Sequence, residues 1–310
     1  MMTTSVSTGT PKRSAGQASL APAHRRPKGW LWRWCKEVGW KHLFALVFIV
    51  YCILPLLYVL SASVNPRGTL TGSNQLFQSV TGEHYSRLMQ TGFPRWMAHS
   101  LYVSTATAVG TVLMAAAAAY AFSRFRFKGR RGGLTFLLII QMFPQMLAFV
   151  AIFLLLLSLK DVFPQIGLGQ HLGLIAVYLG GALGANTFLM YGFFNTIPKE
   201  IDEAAKIDGA SHAQIFWGII MRLVSPILAV VGLLSFVGTY GEFILARVVL
   251  QHQDQYTLAV GLYVWASDER NAPWSLFAAG AVLAAIPVIL LFMFLQKYIV
   301  SGLTAGGVKG

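Results

Sequence analysis

Six stretches of this chain contain no Asp, Glu, Lys or Arg, and each is long enough to cross a bilayer. They run from Leu43 to Asn65, Trp96 to Ser123, Gly132 to Leu159, Val162 to Pro198, Leu223 to Gly241 and Asn271 to Gln296. A helix needs about 20 mostly apolar residues to span the hydrocarbon. Inside lipid each backbone N–H and C=O must find its partner within the protein, which a helix provides. The chain is therefore expected to be an all-α, polytopic membrane protein with six transmembrane helices. Their cores fall at residues 43–63, 99–121, 134–157, 173–195, 224–246 and 275–296. A composition of 55% hydrophobic and 11% charged residues, with a mean hydropathy of +0.60, excludes a single soluble globular domain.

Charge then gives the orientation. The formal net charge of +13 would point to nucleic acid in a soluble protein, but here the basic residues lie outside the apolar stretches. Eight Lys and Arg fall between Lys12 and Lys41, and five more fall in the link from Arg124 to Arg131. With Lys199, Lys206, Arg222, Lys297 and Lys309, 18 of the 24 basic residues collect on one face. The positive-inside rule makes that face cytoplasmic, with both termini on it. The first 30 residues read as a disordered, Ser/Thr/Pro/Ala-rich basic tail held near anionic lipid. Residues 1–40 form this tail and its lead-in, and 41–310 form the membrane domain. The apolar run after Arg25 and Arg26 is too long for a signal sequence and is read as a retained anchor.

Most polar or unusual residues within the spans have plain structural readings. Ala115 to Ala119, and Gly180 with Gly184, are spaced to let helices pack closely. Pro55, Pro144 and Pro287 are expected to kink or break their helices. Cys35 and Cys52 form no disulfide framework, and the seven histidines show no metal-like spacing. No catalytic or nucleotide-binding motif of the GxSxG, HExxH or GxxxxGK[ST] kind occurs, so the chain itself hydrolyses no ATP. Glu242 is the notable carboxylate in an apolar segment. Counted from Ser225 it sits roughly 25 Å along the fifth helix, near the outer interface. Two readings stay open there: pairing with Arg247, or service as a proton or substrate ligand. Tyr240, Tyr263 and Trp265 are aromatics suited either to a sugar face or to an interfacial belt.

The link between the fourth and fifth spans, residues 197–222, is different in kind. Pro198 suits the first turn of a helix. Glu200, Asp202 and Glu203 load the positive end of its dipole, and Gly209 supplies a left-handed stop. A helix of about ten residues is expected. Ser211 and Gln214 then form a capping box for a second helix running toward Pro226. Helices this short are marginal in water unless they pack on something, so Ile201, Ala204, Ala205 and Ile207 call for a partner surface.

The run Glu203-Ala204-Ala205, followed by Asp208-Gly209-Ala210, Phe216 and Pro226, resembles the EAA signature of the membrane subunits of binding-protein-dependent ABC importers. One departure stands out: Arg222 occupies a position where the family usually has proline, which should leave that helix straighter and add a cation near the membrane. The C-terminal GLTAGGVKG at 302–310, TLAVGL at 257–262 and the passage through Trp274, Phe277 and Ala278 resemble the carbohydrate branch, especially the MalG-type maltose/maltodextrin permease.

The resemblance implies a type I ABC-importer transmembrane fold in a bacterial inner membrane. It implies a coupling role for Glu203, Ala204, Ala205, Asp208, Gly209 and Ala210, which would dock on a separate ATPase. The implied partners are a second, MalF-like permease, two ATP-binding subunits that carry ATP and Mg, and an extracytoplasmic sugar-binding protein. No cofactor is implied in this chain. The loop from about Gln251 to Ser275 would reach toward the binding protein, and Tyr240 and Glu242 are the candidate substrate-pathway residues. Importers of glycerol phosphate or another oligosaccharide share these motifs. A self-sufficient proton-coupled transporter using Glu242 is the reading from another class, and an intramembrane protease lacks any recognisable Ser/His pairing.

Overall fold

A computed structural model describes residue 32 and residues 35–66, 76–77, 79–267 and 273–306. The expectations for residues 1–30, for the last four residues of GLTAGGVKG and for part of the 251–275 loop lie outside the described residues. The chain divides into two compact units, Met1–Pro55 and Leu56–Gly310. A π-helical turn in the first unit, Cys35–Gly39, leads into α1 (Trp40–Val64), which continues past Pro55 into the second unit. Its Leu43, Phe44, Val47 and Phe48 face outward, as suits a helix whose solvent is lipid.

The second unit continues with α2 (Glu83–Met89), α3 (Phe93–Arg124), α4 (Arg130–Gln141), α5 (Phe149–Val162), α6 (His171–Phe194) and α7 (Glu200–Ile207). A segment α8 (His212–Leu223), α-helical at its ends and π-helical over Ile215–Ile220, follows. The remaining helices are α9 (Ser225–Tyr240), α10 (Ile244–Val249), α11 (Leu258–Ser267) and α12 (Trp274–Gly306). The regular elements among the described residues are all helical.

Four continuous segments are long and apolar enough to cross a membrane: Lys36–Val64, Phe93–Arg124, His171–Phe194 and Trp274–Ile299. Two bent pairs pass the same test, Arg130–Gln141 with Met146–Val162 at 84° and His212–Leu223 with Ser225–Tyr240 at 79°. Taking each pair as one span gives six, the number read from the sequence, with the second pair taking in His212–Leu223, nearly all of which the sequence reading placed in the 197–222 link.

The break expected at Pro144 is present: Pro144 adopts φ −62° and ψ 111°, extended backbone, and α4 ends before it. Pro55 and Pro287, by contrast, sit within continuous helices. Two other details, the fifth span and the EAA-loop helix, differ from expectation. The fifth span does not run to residue 246. It stops at Tyr240, because the Glu242 carboxylate turns to cap α10. The EAA-loop helix is eight residues long, with Lys199 as its cap, so Pro198 precedes the helix rather than occupying its first turn.

The core has two parts. One groups Leu88, Phe93, Trp96, Leu250 and Leu258 at the α10–α11 end. The other groups Ala115, Ala116, Ala119, Tyr120, Phe194, Ile215 and Ile220 at the α7–α8 end. The small-residue stripe permits this packing: Ala115, Ala116 and Ala119 are fully buried. A Cβ on Gly184 would lie 3.0 Å from Leu137 O and 2.6 Å from the end of the Gln141 side chain, a tight fit that favours glycine where α6 approaches α4.

Candidate functional site

The α7–α8 loop is assembled almost entirely from its own neighbours. At the end of α7 the Ala210 N–H donates to Ala205 O at 2.9 Å and the Gly209 N–H to Lys206 O at 3.0 Å. This is the Schellman pattern, and it needs the left-handed φ of +85° that Gly209 supplies. Two residues later Gln214 N–H donates to Ser211 Oγ (3.3 Å) and Ser211 N–H to Gln214 Oε1 (2.7 Å), completing the capping box. Of the EAA-type residues, Ala205 is buried and Ala210 half-buried, while Glu203, Ala204, Asp208 and Gly209 face outward with Ile207, which is 87% exposed. The loop presents a stiff acidic and apolar ridge with no cover of its own.

Its inner side rests on an ionic contact. Arg124 Nε lies 2.6 Å from Asp202 Oδ2, with both side chains about 93–94% buried. The contact is an ion pair by distance; the N–H directions favour two other acceptors, Phe194 O (Nη1, 3.4 Å) and Ile197 O (Nη2, 3.2 Å). Arg222 is exposed beside the membrane end of α8. The helix carrying it is not simply straighter for lacking proline. It contains a π turn, and the 79° bend comes two residues later, before Pro226.

A second candidate site lies among α4, α5, α6 and α9, where the break at Pro144 opens a cavity of about 770 Å³. Gln141, Phe143, Phe149, Tyr178, Thr239 and Glu242 contribute to its wall. Glu242 accepts hydrogen bonds from Leu245 N–H (2.8 Å), Ala246 N–H (3.0 Å) and the Tyr178 hydroxyl (2.5 Å). Its expected pairing with Arg247 is not formed: that guanidinium lies over the Tyr256 ring at 5.3 Å. Tyr240, paired with Glu242 in the sequence reading, is placed elsewhere. It is 8% exposed, donates to Ala284 O at 3.1 Å and stacks on Phe236, tying α9 to α12.

The 251–257 part of the α10–α11 connection is held to the bundle. Trp96 Nε1 donates to Gln253 O at 2.9 Å, Leu258 N–H donates to Ser100 Oγ at 2.8 Å, and His171 Nε2 lies 2.7 Å from Gln255 O. Trp265 packs at 5.1 Å on Trp96 and Tyr263 stacks on Phe243 at 4.8 Å, so both are used in packing.

Comparison with known proteins matches residues 110–305 to the family model described as the inner membrane component of binding-protein-dependent transport systems. The chain belongs to that family. The permease is 42% identical over 271 residues to the galactooligosaccharides transport system permease protein GanQ of Bacillus subtilis, covering 86% of this chain and 93% of the relative. It is 40% identical over 270 residues to the maltodextrin transport system permease protein MdxG of the same organism, covering 87% and 95%. Among solved structures, a bacterial ABC transporter involved in import of the acidic polysaccharide alginate has the same fold, with a TM-score of 0.72 at 23% identity, covering 86% of this chain and 98% of that one. Family membership makes the chain a transporter component rather than an enzyme, and it removes the self-sufficient proton-coupled reading.

Sequence reasoning missed Arg124, Asp202 and Tyr178 as site residues. Arg124 was counted only as a topology charge and Asp202 only as a dipole charge. Tyr178 is 64 residues from Glu242, with no spacing to connect them.

Proposed function

We propose that this permease forms half of the translocation pathway of a bacterial ABC importer for maltose or maltodextrin. Identity of 40% to the maltodextrin permease over 87% of the chain carries this reading. A galactooligosaccharide is the second reading, supported by the 42% identity to GanQ. The other half of the pathway is a second permease. The outward ridge of α7, with Glu203, Ala204, Asp208 and Gly209, docks on one of two cytoplasmic ATPase subunits. ATP and Mg bind there, and this chain holds no cofactor. The α7 face and both termini are cytoplasmic, which the Lys/Arg distribution supports. Glu242 lines the pathway as part of the cavity wall, whereas Tyr240 serves it only by fixing α9. An extracytoplasmic binding protein delivers the sugar near the α10–α12 end.

Purifying the permease from its native membrane in mild detergent, and identifying what co-purifies by mass spectrometry, tests the assembly. The expected result is a second permease and a protein with a P-loop. Proteoliposomes of that complex, offered labelled maltotriose or galactotriose with its binding protein, then separate the two sugars. A chain that purifies alone and moves solute without ATP would overturn the proposal.

A further inference from the structure

α7 has very little apolar surface with which to hold its place. Of its eight residues only Asp202 and Ala205 are buried; Ala205 offers a single methyl group, and the half-buried Ile201 adds one apolar contact with the α7–α8 core. Asp202 lies in the first turn, where a carboxylate favours the helix dipole. It forms an ion pair with Arg124, the last residue of α3, whose guanidinium donates to Phe194 O at the end of α6 and to Ile197 O just beyond it. Those carbonyls belong to the end of a helix and its exit, where acceptors lack intrahelical partners and a cation is favoured. One side chain thus joins α3, the end of α6 and the start of α7. Among the described residues no other ion pair is formed.

A buried ion pair adds little net stability, because desolvation offsets the attraction, and apolar replacements of similar volume are often as stable or more so. What the pair supplies is direction. A planar guanidinium hydrogen-bonds two carbonyls while holding a carboxylate at ion-pair distance, which a lysine or an apolar contact does not. The α8 side is held in another way, through Phe125 against His212 at 5.1 Å and Tyr120 against Phe216 at 5.1 Å.

Resting on the coupling role proposed for α7, we propose that Arg124 and Asp202 are positioning residues. Their ion pair locks α7 to the ends of α3 and α6, so that displacement of α7 by the ATPase moves those two membrane helices as one block. Without the lock, α7 would yield at its short connections and the stroke would be lost locally. A switch of this kind requires a rigid element between the driving surface and the moving helices.

The test uses the whole complex in proteoliposomes with its binding protein and trapped ATP. The probe is whichever of maltotriose and galactotriose the wild-type complex imports, and sugar imported per ATP hydrolysed is the readout. D202N keeps the shape and removes the charge. It is expected to assemble and hydrolyse ATP, with sugar per ATP reduced about tenfold, within the usual range of coupling between sites. The paired variant R124M/D202L restores an apolar fit. It is expected to assemble like wild type and to remain uncoupled, which a merely structural role would not produce. Wild-type sugar per ATP in either variant overturns the proposal, as does failure of both to assemble, which would leave the pair a folding role alone. G209V is the control for the underlying reading. If G209V is fully coupled, the docking role of α7 falls; if it is uncoupled while D202N is not, only the ion-pair lock falls.

Discussion

The α7–α8 loop and the cavity around Glu242 are both made from helix ends, but they are specified in opposite ways. In the loop, every stop and start is set within a few residues: Ala210 bonds back to Ala205, and Ser211 exchanges bonds with Gln214. In the cavity, Gln141 and Tyr178 come from α4 and α6 and Glu242 from the link between α9 and α10, and they meet only because those elements pack. The difference shows why the loop can be read from a short motif while the cavity cannot. The loop is built from caps and turns, whose chemistry is local. The cavity is built from what packing leaves open.

The sharpest way to break this comparison is at Gly209. Within this chain nothing lies within 4 Å of a Cβ placed there, so inside the permease G209V acts through its φ of +85°. A left-handed conformation costs a β-branched residue about 1–3 kcal/mol. Relieving it swings the end of α7 and displaces Asp208 and Ala210. Sugar imported per ATP is expected to fall roughly 5- to 150-fold, the range that such energies represent as coupling, with assembly retained. Wild-type coupling in reconstituted G209V complex would mean that the local geometry of the loop does not matter to transport.

The cavity should respond differently, in stability before transport. In E242Q one carboxylate oxygen becomes an amide donor, which in either orientation faces a buried backbone N–H, that of Leu245 or of Ala246. Leaving such a buried group unsatisfied costs about 1–3 kcal/mol. Thermal unfolding of the purified complex is expected to shift down, while uptake continues and stays indifferent to a protonophore. Y178F removes one donor and leaves both backbone amides in place, so a smaller shift, about 1 kcal/mol, is expected. Complete loss of uptake in an assembled E242Q complex would make the carboxylate part of the transport step and would reverse the contrast between the two regions.

How far each region is legible in the sequence follows from the same distinction. The spans are readable because lipid forces apolar windows of fixed length, and α3, α6 and α12 follow them. The loop is readable because Gly209, Ser211 and Gln214 carry backbone chemistry that does not depend on distant residues. The fifth span was extended past Tyr240 because hydropathy does not register a carboxylate that caps a new helix at Ile244. Glu242 was visible as an anomaly, but its partner Tyr178 was not, and Arg247 was the nearer and wrong choice. Arg124 illustrates the limit best: at the end of a span, a structural arginine and a topology arginine look identical in sequence.

The smallest expected effect concerns the capping box, and it asks whether the loop is as local as its bonds suggest. S211A removes the oxygen that accepts the Gln214 N–H and leaves the rest of α8 intact. Losing an N-cap of this kind costs about 0.5–2 kcal/mol. The amides at the start of α8 are then expected to exchange with solvent faster by up to roughly 30-fold. Exchange in α9 is expected to stay unchanged, because the 79° bend after Leu223 separates the two helices. Hydrogen exchange on the detergent-purified complex reads both at once. If α9 loosens together with α8, the loop and the fifth span form one cooperative unit, and the loop cannot be treated as a locally specified part.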